Sequence, residues 1–295
     1  MARQFERVSM SISIITCSIK PDLCKNMLAS LRKTIGTDFE EIVFDNREKK
    51  YGICKVYNEA AKKANGDYLC FVHEDIVFDT ADWGKQLIDF AERTINCGAI
   101  SIGGGIDTSC NNFAGWWLCP SKFLRVYHDE NGLRNNKKED TVFNYNNPEN
   151  TVFSKAVFLD GVFLFVKKEI WENNKFDEKT FKGFHFYDAD FSYSLSKKYQ
   201  NYVFLGMDTY HFSSGNKDMT YCENMYLFHK KWRNPVIKYR TELKNAYFVF
   251  KTYRSNNYSI CECLKRILYI NGTIFMLVFV FFLFGIGFYK ILSGK

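Results

Sequence analysis

The sequence lacks the cysteine pattern of a disulfide-stabilised protein. Its ten cysteines are scattered from Cys17 to Cys263, and no two of them form a CxxC pair. A small disulfide scaffold would concentrate its cysteines in a short chain, whereas several of these lie within apolar runs. We therefore expect reduced thiols that pack as small hydrophobic side chains.

Two common nucleotide-binding motifs are also missing. No GxxxxGK[ST] phosphate loop occurs, and Gly103, Gly104 and Gly105 do not have the spacing of the GxGxxG dinucleotide fingerprint. These absences argue against a P-loop enzyme and against an NAD enzyme. The N-terminal stretch MARQFERVSMSISIITCS has too short an apolar run for a signal peptide, so we interpret it as the start of a cytosolic domain.

What is present is enough apolar material for a large core. The chain has 295 residues, 46% of them hydrophobic, with 29 Phe and 18 Tyr, which predicts an ordered protein with one large core or two small ones. The formal charge of +7 is mild. A denser basic stretch from Lys230 to Arg266 fits an anionic partner or a membrane surface as well as it fits solvated lysines. No nucleic-acid partner is expected.

The C-terminal stretch 267–289, ILYINGTIFMLVFVFFLFGIGFY, carries no charged residue. As a helix its 23 residues would be about 34 Å long, enough to cross a hydrocarbon core of about 30 Å with some tilt. The alternative is a buried core helix, which would need protein on all sides. We predict a single transmembrane helix with a short tail at 290–295 and a basic juxtamembrane segment at 229–266.

Basic residues near the two ends of this stretch predict its orientation. More of them precede it than follow it: Lys251, Arg254, Lys265 and Arg266 against Lys290 and Lys295. By the positive-inside rule the large domain would face the cytoplasm. We therefore expect a single-pass protein of the inner (cytoplasmic) membrane.

The first hundred residues alternate between strand and helix patterns. Apolar runs at 11–18, 41–45, 67–72 and 97–104 predict four strands, and apolar residues at helical spacing over 24–35, 53–64 and 83–91 predict the helices between them. This alternation is typical of an α/β fold with a mostly parallel, Rossmann-like sheet and helices on both faces. In such sheets ligands bind at the carboxyl ends of the strands.

Polar residues follow two of these strands. Asp45 and Asn46 end the second strand, and His73, Glu74 and Asp75 end the third. Both groups should open onto one cleft at the same edge of the sheet. Carboxylates at that edge favour a hard divalent cation, which can bridge to the phosphates of a nucleotide.

The second half adds further candidates. A strand is predicted over 156–166, a helix follows Asp188 and Asp190, and a strand over 202–216 contains His211. Asp188 could alternatively be a helix N-cap. Residues 121–150 are polar and weakly patterned, which predicts a long loop over the cleft.

Together these segments resemble family 2 glycosyltransferases of the GT-A fold, and more narrowly a bacterial branch whose acidic motif reads His-x-Asp. The resemblance covers roughly residues 9–216, which are most of the catalytic domain expected at 1–228. The stretches that carry it are SIIT, Asp45, NEAAKKANGDYLCFVHEDIVF, AGWW, LDGVFLFVKKEIW, FDEKTFKGFHFYDADFSYSL and YHFSSGN.

The resemblance implies a nucleotide-sugar site and a metal site. Asp45 matches the acid placed against the donor nucleoside, and Asp75 matches the last acid of the Asp-x-Asp motif that binds the metal, Mn²⁺ or Mg²⁺. His73 stands where the commonest pattern has Asp, and His211 matches a late histidine that completes metal or diphosphate binding. The full donor set that we predict is Asp45, Asn46, Asn58, His73, Glu74 and Asp75, with Asp75, His73 and His211 as metal ligands.

Two of these residues have other interpretations. His73 could be a polar residue at a strand end with no ligand. His211 could be a core histidine whose hydrogen bonds are satisfied.

The resemblance also implies a catalytic base and an acceptor site. Asp188 matches the aspartate of the family's Glu-Asp pair, although Tyr187 replaces its Glu, and Asp190 is the alternative base. A carboxylate is needed because an acceptor hydroxyl is a poor nucleophile until its proton is removed. Inversion at the anomeric carbon is inherited from the family.

The implied acceptor residues are Trp116, Trp117, Asp160 and Gly161. Aromatic faces suit the apolar faces of sugars, but the Trp pair could equally be core packing. With the membrane helix, this predicts a nucleotide-diphosphate sugar donor and a glycan or lipid-linked acceptor in cell-surface polysaccharide synthesis. Two alternatives stay open, a non-catalytic binding or scaffolding module at the membrane and a sugar nucleotidyltransferase.

Overall fold

The computed structural model describes residues 10–106, 115–129, 137–213, 215, 217–232 and 243–271. These residues form two compact units. The first contains the described residues up to 215, and the second contains those from 217 onward. All candidate site residues lie in the first unit.

The first unit combines strands and helices. Its strands are β1 (Ile12–Ser18), β2 (Phe39–Asp45), β3 (Tyr68–Val72), β4 (Ile76–Phe78), β5 (Cys97–Ser101), β6 (Gly103–Ile106), β7 (Ser121–His128), β8 (Val142–Asn146), β9 (Phe153–Ala156), β10 (Phe158–Leu159), β11 (Phe163–Lys167), β12 (Gln200–Phe204) and β13 (Thr209–His211). Its α-helices are α1 (Pro21–Thr34), α2 (Ile53–Ala61), α3 (Trp83–Arg93), α4 (Lys168–Asn173) and α5 (Tyr187–Leu195), with single 3₁₀ turns at Trp116–Leu118 and Lys138–Asp140.

The main sheet has seven strands in the order β2-β1-β3-β11-β5-β12-β9. The pairs β1–β2, β1–β3 and β5–β12 are parallel, and the other three pairs are antiparallel. The α/β class is as expected, but the prediction of a mostly parallel sheet was wrong. The reason is β11, which inserts antiparallel between β3 and β5.

A second sheet of six strands lies in the same unit, in the order β10-β6-β7-β13-β4 with β8 paired to β7. It corrects three predictions. Residues 121–150 were expected to form a loop but contain the antiparallel pair β7 and β8. The strand predicted over 156–166 is divided between the two sheets, and so is the strand predicted over 202–216.

The helices form where apolar residues recur on one face. In α2, Ile53, Val56, Tyr57 and Ala60 are buried, which confirms the apolar face predicted there. α1 begins with Pro21, whose missing N–H costs nothing in the first turn of a helix. The central strands β3 and β11 are buried on both faces, except for Lys167 at the end of β11, because helices and the second sheet cover them.

The second unit is helical in the residues described: α6 (Met219–Trp232), α7 (Leu243–Ser255) and α8 (Ile260–Asn271). None of the helices in the described residues is long and apolar enough to cross a bilayer. This finding contradicts the predicted transmembrane helix at 267–289 and the single-pass inner-membrane location derived from it. α8 begins ahead of that stretch and carries Glu262, Lys265 and Arg266, and residues 272–289 lie outside the described residues.

No disulfide joins the cysteines among the described residues, and most of these cysteines are buried. Burial raises the pKa of Cys17 to about 11 and that of Cys97 to about 12, which keeps both thiols protonated at neutral pH. Both thiols therefore agree with the prediction of reduced cysteines that pack as small hydrophobic side chains.

Candidate active site

Three predicted metal ligands come together where the two sheets meet. His73 and Asp75 lie in the short connection from β3 to β4, and His211 ends β13, which pairs antiparallel with β4. The backbone N–H of Phe212 donates to the carbonyl oxygen of Asp75 at 3.0 Å and fixes the two segments together. One ligand atom from each of His73, Asp75 and His211 lies within 4.8 Å of the others. We call these three residues the His-Asp-His cluster.

Asp75 is the ionised member of the cluster. Its Oδ1 lies 3.6 Å from Nε2 of His211, which is longer than a hydrogen bond, and this buried oxygen has no hydrogen-bond partner. Burial alone would raise the pKa of Asp75, but contact with His211 and the charge of His211 outweigh it and lower that pKa. A buried, ionised carboxylate with an unpartnered oxygen is a costly arrangement unless a cation meets it.

The two histidines differ in their protonation. Burial lowers the pKa of His73 to about 4, so its imidazole is neutral at pH 7. Burial also acts to lower the pKa of His211, but its contact with Asp75 and the charges of Asp160 and Asp129 prevail and raise it. Imidazole nitrogens together with a carboxylate oxygen suit a divalent transition metal such as Mn²⁺, so the residues present fit such an ion.

A second group of residues surrounds Gly161, between β10 and β11. The backbone N–H of Gly161 donates to Oδ2 of Asp188 at 3.1 Å, and its carbonyl accepts from Oη of Tyr187 at 2.8 Å. Both partners lie in the first turn of α5. The same Oη lies 2.7 Å from Nε2 of His73, so this group contacts the His-Asp-His cluster directly.

The carboxyl of Asp188 holds its proton more strongly than an ordinary aspartate. Burial, reinforced by the negative charge of Asp160, raises the pKa of Asp188 to about 7. The N-cap position of α5 is Phe186, not Asp188, so the N-cap alternative for Asp188 does not apply. Asp190 is 3% exposed, and its backbone N–H donates to the carbonyl of Phe186. Of the two candidate bases, Asp188 is the one hydrogen-bonded to Gly161.

The predicted acceptor residues lie close together. Trp116 forms a side-chain hydrogen bond with Asp160, and its ring packs against Gly103. The rings of Trp116 and Trp117 are 6.2 Å apart and nearly perpendicular. Both side chains are half-buried, which leaves part of each ring accessible. Burial raises the pKa of Asp160 as well.

The remaining predicted donor residues have partners within the protein. Asp45 is exposed and pairs with Arg47 at 2.6 Å. The side-chain N–H of Asn46 donates to the carbonyl of Tyr51 at 2.9 Å, and the side-chain oxygen of Asn46 accepts from the N–H of Tyr51 at 2.8 Å.

Asn58 and Glu74 both join distant segments. The side chain of Asn58 bonds the carbonyl and the N–H of Phe176. The carboxylate of Glu74 accepts hydrogen bonds from Ser18 Oγ and from the N–H groups of Ile19 and Lys20, just before α1. The donor role of these four residues, Asp45 included, stays a prediction.

Two residues of the site have no role that the sequence patterns assign. Tyr187 stands out in the sequence only as a departure from the family pattern. Asp129 lies at the end of β7 in the stretch predicted as a loop; it is 2% exposed, and its N–H donates to the carbonyl of His211. Asp129 lies beside His211 because β7 pairs with β13, a pairing that only the structure shows.

The comparisons with known proteins agree with this architecture. Residues 13–246 match the model of a family described as "Glycosyltransferase like family". A search of curated proteins finds no match.

Among solved structures, one of GalNAc-T7 with UDP, GalNAc and Mn²⁺ is similar at a TM-score of 0.53 and 12% identity. That alignment covers 98% of this chain and 58% of the neighbour, so the chain spans less than two thirds of the neighbour's length. A structure of A197 from STIV aligns with a TM-score of 0.38 and 15% identity over 69% of this chain and 85% of that chain.

The family match covers most of the chain, and the fold agrees with it. The resemblance seen in the motifs is therefore confirmed, including a His-x-Asp motif whose two ends meet in one cluster with His211. The chain belongs to the glycosyltransferase-like family and has a GT-A-like fold.

Proposed function

We propose that the protein transfers a sugar from a nucleoside diphosphate sugar to a hydroxyl of a glycan, with inversion at the anomeric carbon and with a divalent cation bound by His73, Asp75 and His211. The observation that carries the proposal is the buried Oδ1 of Asp75, which makes no hydrogen bond and lies close to two imidazoles. A structural carboxylate at that depth would have a hydrogen-bond donor.

The donor site is proposed around the His-Asp-His cluster. When bound there, the cation would act as a Lewis acid toward the diphosphate of the donor. Asp75 supplies a charged oxygen, and His73 supplies a neutral imidazole, because burial has lowered its pKa. GalNAc-T7 was solved with UDP and Mn²⁺, which makes UDP-sugars and Mn²⁺ the first pair to test here.

Asp188 is the proposed general base. In the transfer step the acceptor oxygen bonds to the anomeric carbon while the bond from that carbon to the diphosphate oxygen breaks. The acceptor proton passes to Asp188, and the nucleoside diphosphate leaves. A base works best when its pKa lies near the working pH, and burial has raised the pKa of Asp188 to about 7. The N–H of Gly161 orients the carboxylate through Oδ2.

The acceptor is proposed to lie against Trp116, beside Asp160. A half-buried indole offers a flat face for a sugar ring, and its bond to Asp160 holds that ring next to the carboxyl groups. The expectation of a lipid-linked acceptor depended on a membrane helix that the described residues do not contain. We therefore propose that the acceptor is a hydroxyl of a glycan. Soluble and lipid-linked glycans are to be compared as acceptors by experiment.

The proposal is tested by thermal stabilisation with a panel of UDP-, GDP- and dTDP-sugars, with and without Mn²⁺, on wild type and on Asp75→Ala. We expect one donor to stabilise the wild type only when Mn²⁺ is present, and to lose that effect in the variant. Stabilisation by nucleoside triphosphates instead would favour a nucleotidyltransferase. Folded wild type that responds to no nucleotide would overturn the proposal in favour of a non-catalytic binding module.

A further inference from the structure

The bond between His73 and Tyr187 has a defined direction. Oη of Tyr187 lies 2.8 Å from the carbonyl of Gly161 and 2.7 Å from Nε2 of His73. A carbonyl oxygen can only accept, and a phenol has a single proton. That proton goes to Gly161, so Nε2 of His73 must be the donor to Tyr187.

This assignment leaves the other ring nitrogen of His73 with its lone pair. A histidine that binds a metal ion is neutral, so a proton on Nε2 means none on Nδ1. Within the described residues Nδ1 has no hydrogen-bond partner. A nitrogen with a free lone pair, on a ring whose other nitrogen is held by a hydrogen bond, is the form in which histidine binds metals.

We propose that Tyr187 is a positioning residue that holds His73 as the Nε2–H tautomer and thereby reserves Nδ1 for the divalent cation. The inference rests on the proposed metal site and concerns how this chain builds it. An aspartate at position 73 would have no proton to give to the tyrosine. The two departures from the family pattern, His73 for Asp and Tyr187 for Glu, are therefore one hydrogen-bonded unit.

The same hydroxyl is linked to the base through a single residue, Gly161. Tyr187 donates to the carbonyl of Gly161, while the N–H of Gly161 donates to Asp188. The hydroxyl therefore fixes both the metal ligand and the segment that orients the base. Its loss should weaken metal binding first, because the hydrogen bond to His73 is direct.

The tautomer is measured without any metal, by ¹⁵N NMR of the histidine side chains. The chain has five histidines, and a His73→Gln variant assigns the signals of position 73. We expect wild-type His73 to show a protonated Nε2 and an unprotonated Nδ1, and Tyr187→Phe to show a mixture of tautomers. Wild type with the proton on Nδ1, or an unchanged tautomer in Tyr187→Phe, would overturn the inference.

A second readout is the affinity for Mn²⁺ alone, followed by the EPR signal of free Mn²⁺. Losing a hydrogen bond to a metal-ligating histidine costs about 10- to 100-fold in metal affinity, so Tyr187→Phe should weaken binding by that factor. Tyr68→Phe is the matched control, since it also removes one hydrogen-bonded phenol hydroxyl, but the partner of that hydroxyl is Glu92 and not His73. Thermal unfolding of both variants checks that the fold is kept.

A double-mutant cycle separates this role from general packing. In a His73→Ala background, the change Tyr187→Phe should alter the remaining Mn²⁺ affinity by less than twofold, because the partner of the hydroxyl is gone. An equal loss in both backgrounds would overturn the inference. Wild type that binds no Mn²⁺ would overturn the proposed function itself, whereas binding that Tyr187→Phe leaves unchanged would overturn only the role of Tyr187.

Discussion

The backbone N–H of Gly161 donates a hydrogen bond of 3.1 Å to Oδ2 of Asp188, and only a residue without a side chain can make this contact here. A Cβ at position 161 would overlap Oη of Tyr187 and would lie 2.8 Å from Cβ of Asp188. Glycine is required here because there is no space for a side chain. The backbone conformation does not require it, since φ at Gly161 is not positive.

Gly161→Ala should therefore reduce activity while the protein stays folded. The methyl group would push α5 away from β10 and β11, and a displacement of about 1 Å at a catalytic group can cost about 100-fold in rate. Turnover with saturating donor and the melting temperature are the two measurements. Activity within a factor of two of wild type would show that the contact does not position Asp188.

Asp188→Asn should lower kcat by about 100- to 10,000-fold, the usual contribution of a general base, with little change in donor affinity. Asp190→Asn is the matched control, since it removes the other candidate carboxylate from the same helix. Single-turnover kinetics with the preferred donor measures both. If Asp190→Asn lost more activity than Asp188→Asn, the assignment of the base would have to be reversed.

The pH dependence of transfer should follow the pKa of Asp188. A base must be unprotonated, and burial with the charge of Asp160 raises this pKa to about 7 rather than the ordinary value near 4. The kcat/KM for the acceptor should thus be level above pH 7 and fall about tenfold for each pH unit below it. A profile measured at saturating Mn²⁺ that stayed level down to pH 5 would exclude Asp188 as the base.

Glu74 should contribute mainly to stability. It is 8% exposed, and its carboxylate bonds Ser18 and the backbone N–H groups that precede α1. Glu74→Ala should lower the free energy of unfolding by about 1–3 kcal/mol, because buried donors lose a charged acceptor. Urea denaturation measures this loss.

Glu41→Ala is the comparison for Glu74→Ala, since it removes only the exposed ion pair with Arg32 and should cost less than about 1 kcal/mol. Donor affinity of the folded Glu74→Ala protein tests the donor role predicted for Glu74. Lost donor binding at unchanged stability would favour that donor role over the structural one.

The first part of the fold could be predicted because its patterns are local. The strands near 11–18, 41–45 and 67–72 and the apolar face of α2 follow from the period of apolar residues. The position of β11 could not be predicted in this way, because the partner of a strand is not encoded in the strand's own sequence. β7 and β8 were missed because most of their residues are exposed or partly exposed, so neither strand has the continuous buried apolar run of the strands that were predicted.

The candidate residues could be named one by one from the sequence, but the hydrogen bonds that join them could not. The motif pattern identified His73, Asp75, His211 and Asp188, three of which the structure joins in one cluster. The link from His73 to Tyr187 spans 114 positions in the chain, and only the folded structure shows it. The membrane helix was inferred from composition alone, and no helix in the described ranges supports it.

The cation that the His-Asp-His cluster is proposed to hold is central to the proposed function. The direct measurement is the number of Mn²⁺ ions bound per chain in the presence of UDP, on wild type and on Asp75→Ala. We predict one Mn²⁺ bound by wild type and none by the variant at the same concentration. Binding that survives the loss of Asp75, or wild type that binds none with UDP present, would contradict the proposed metal site.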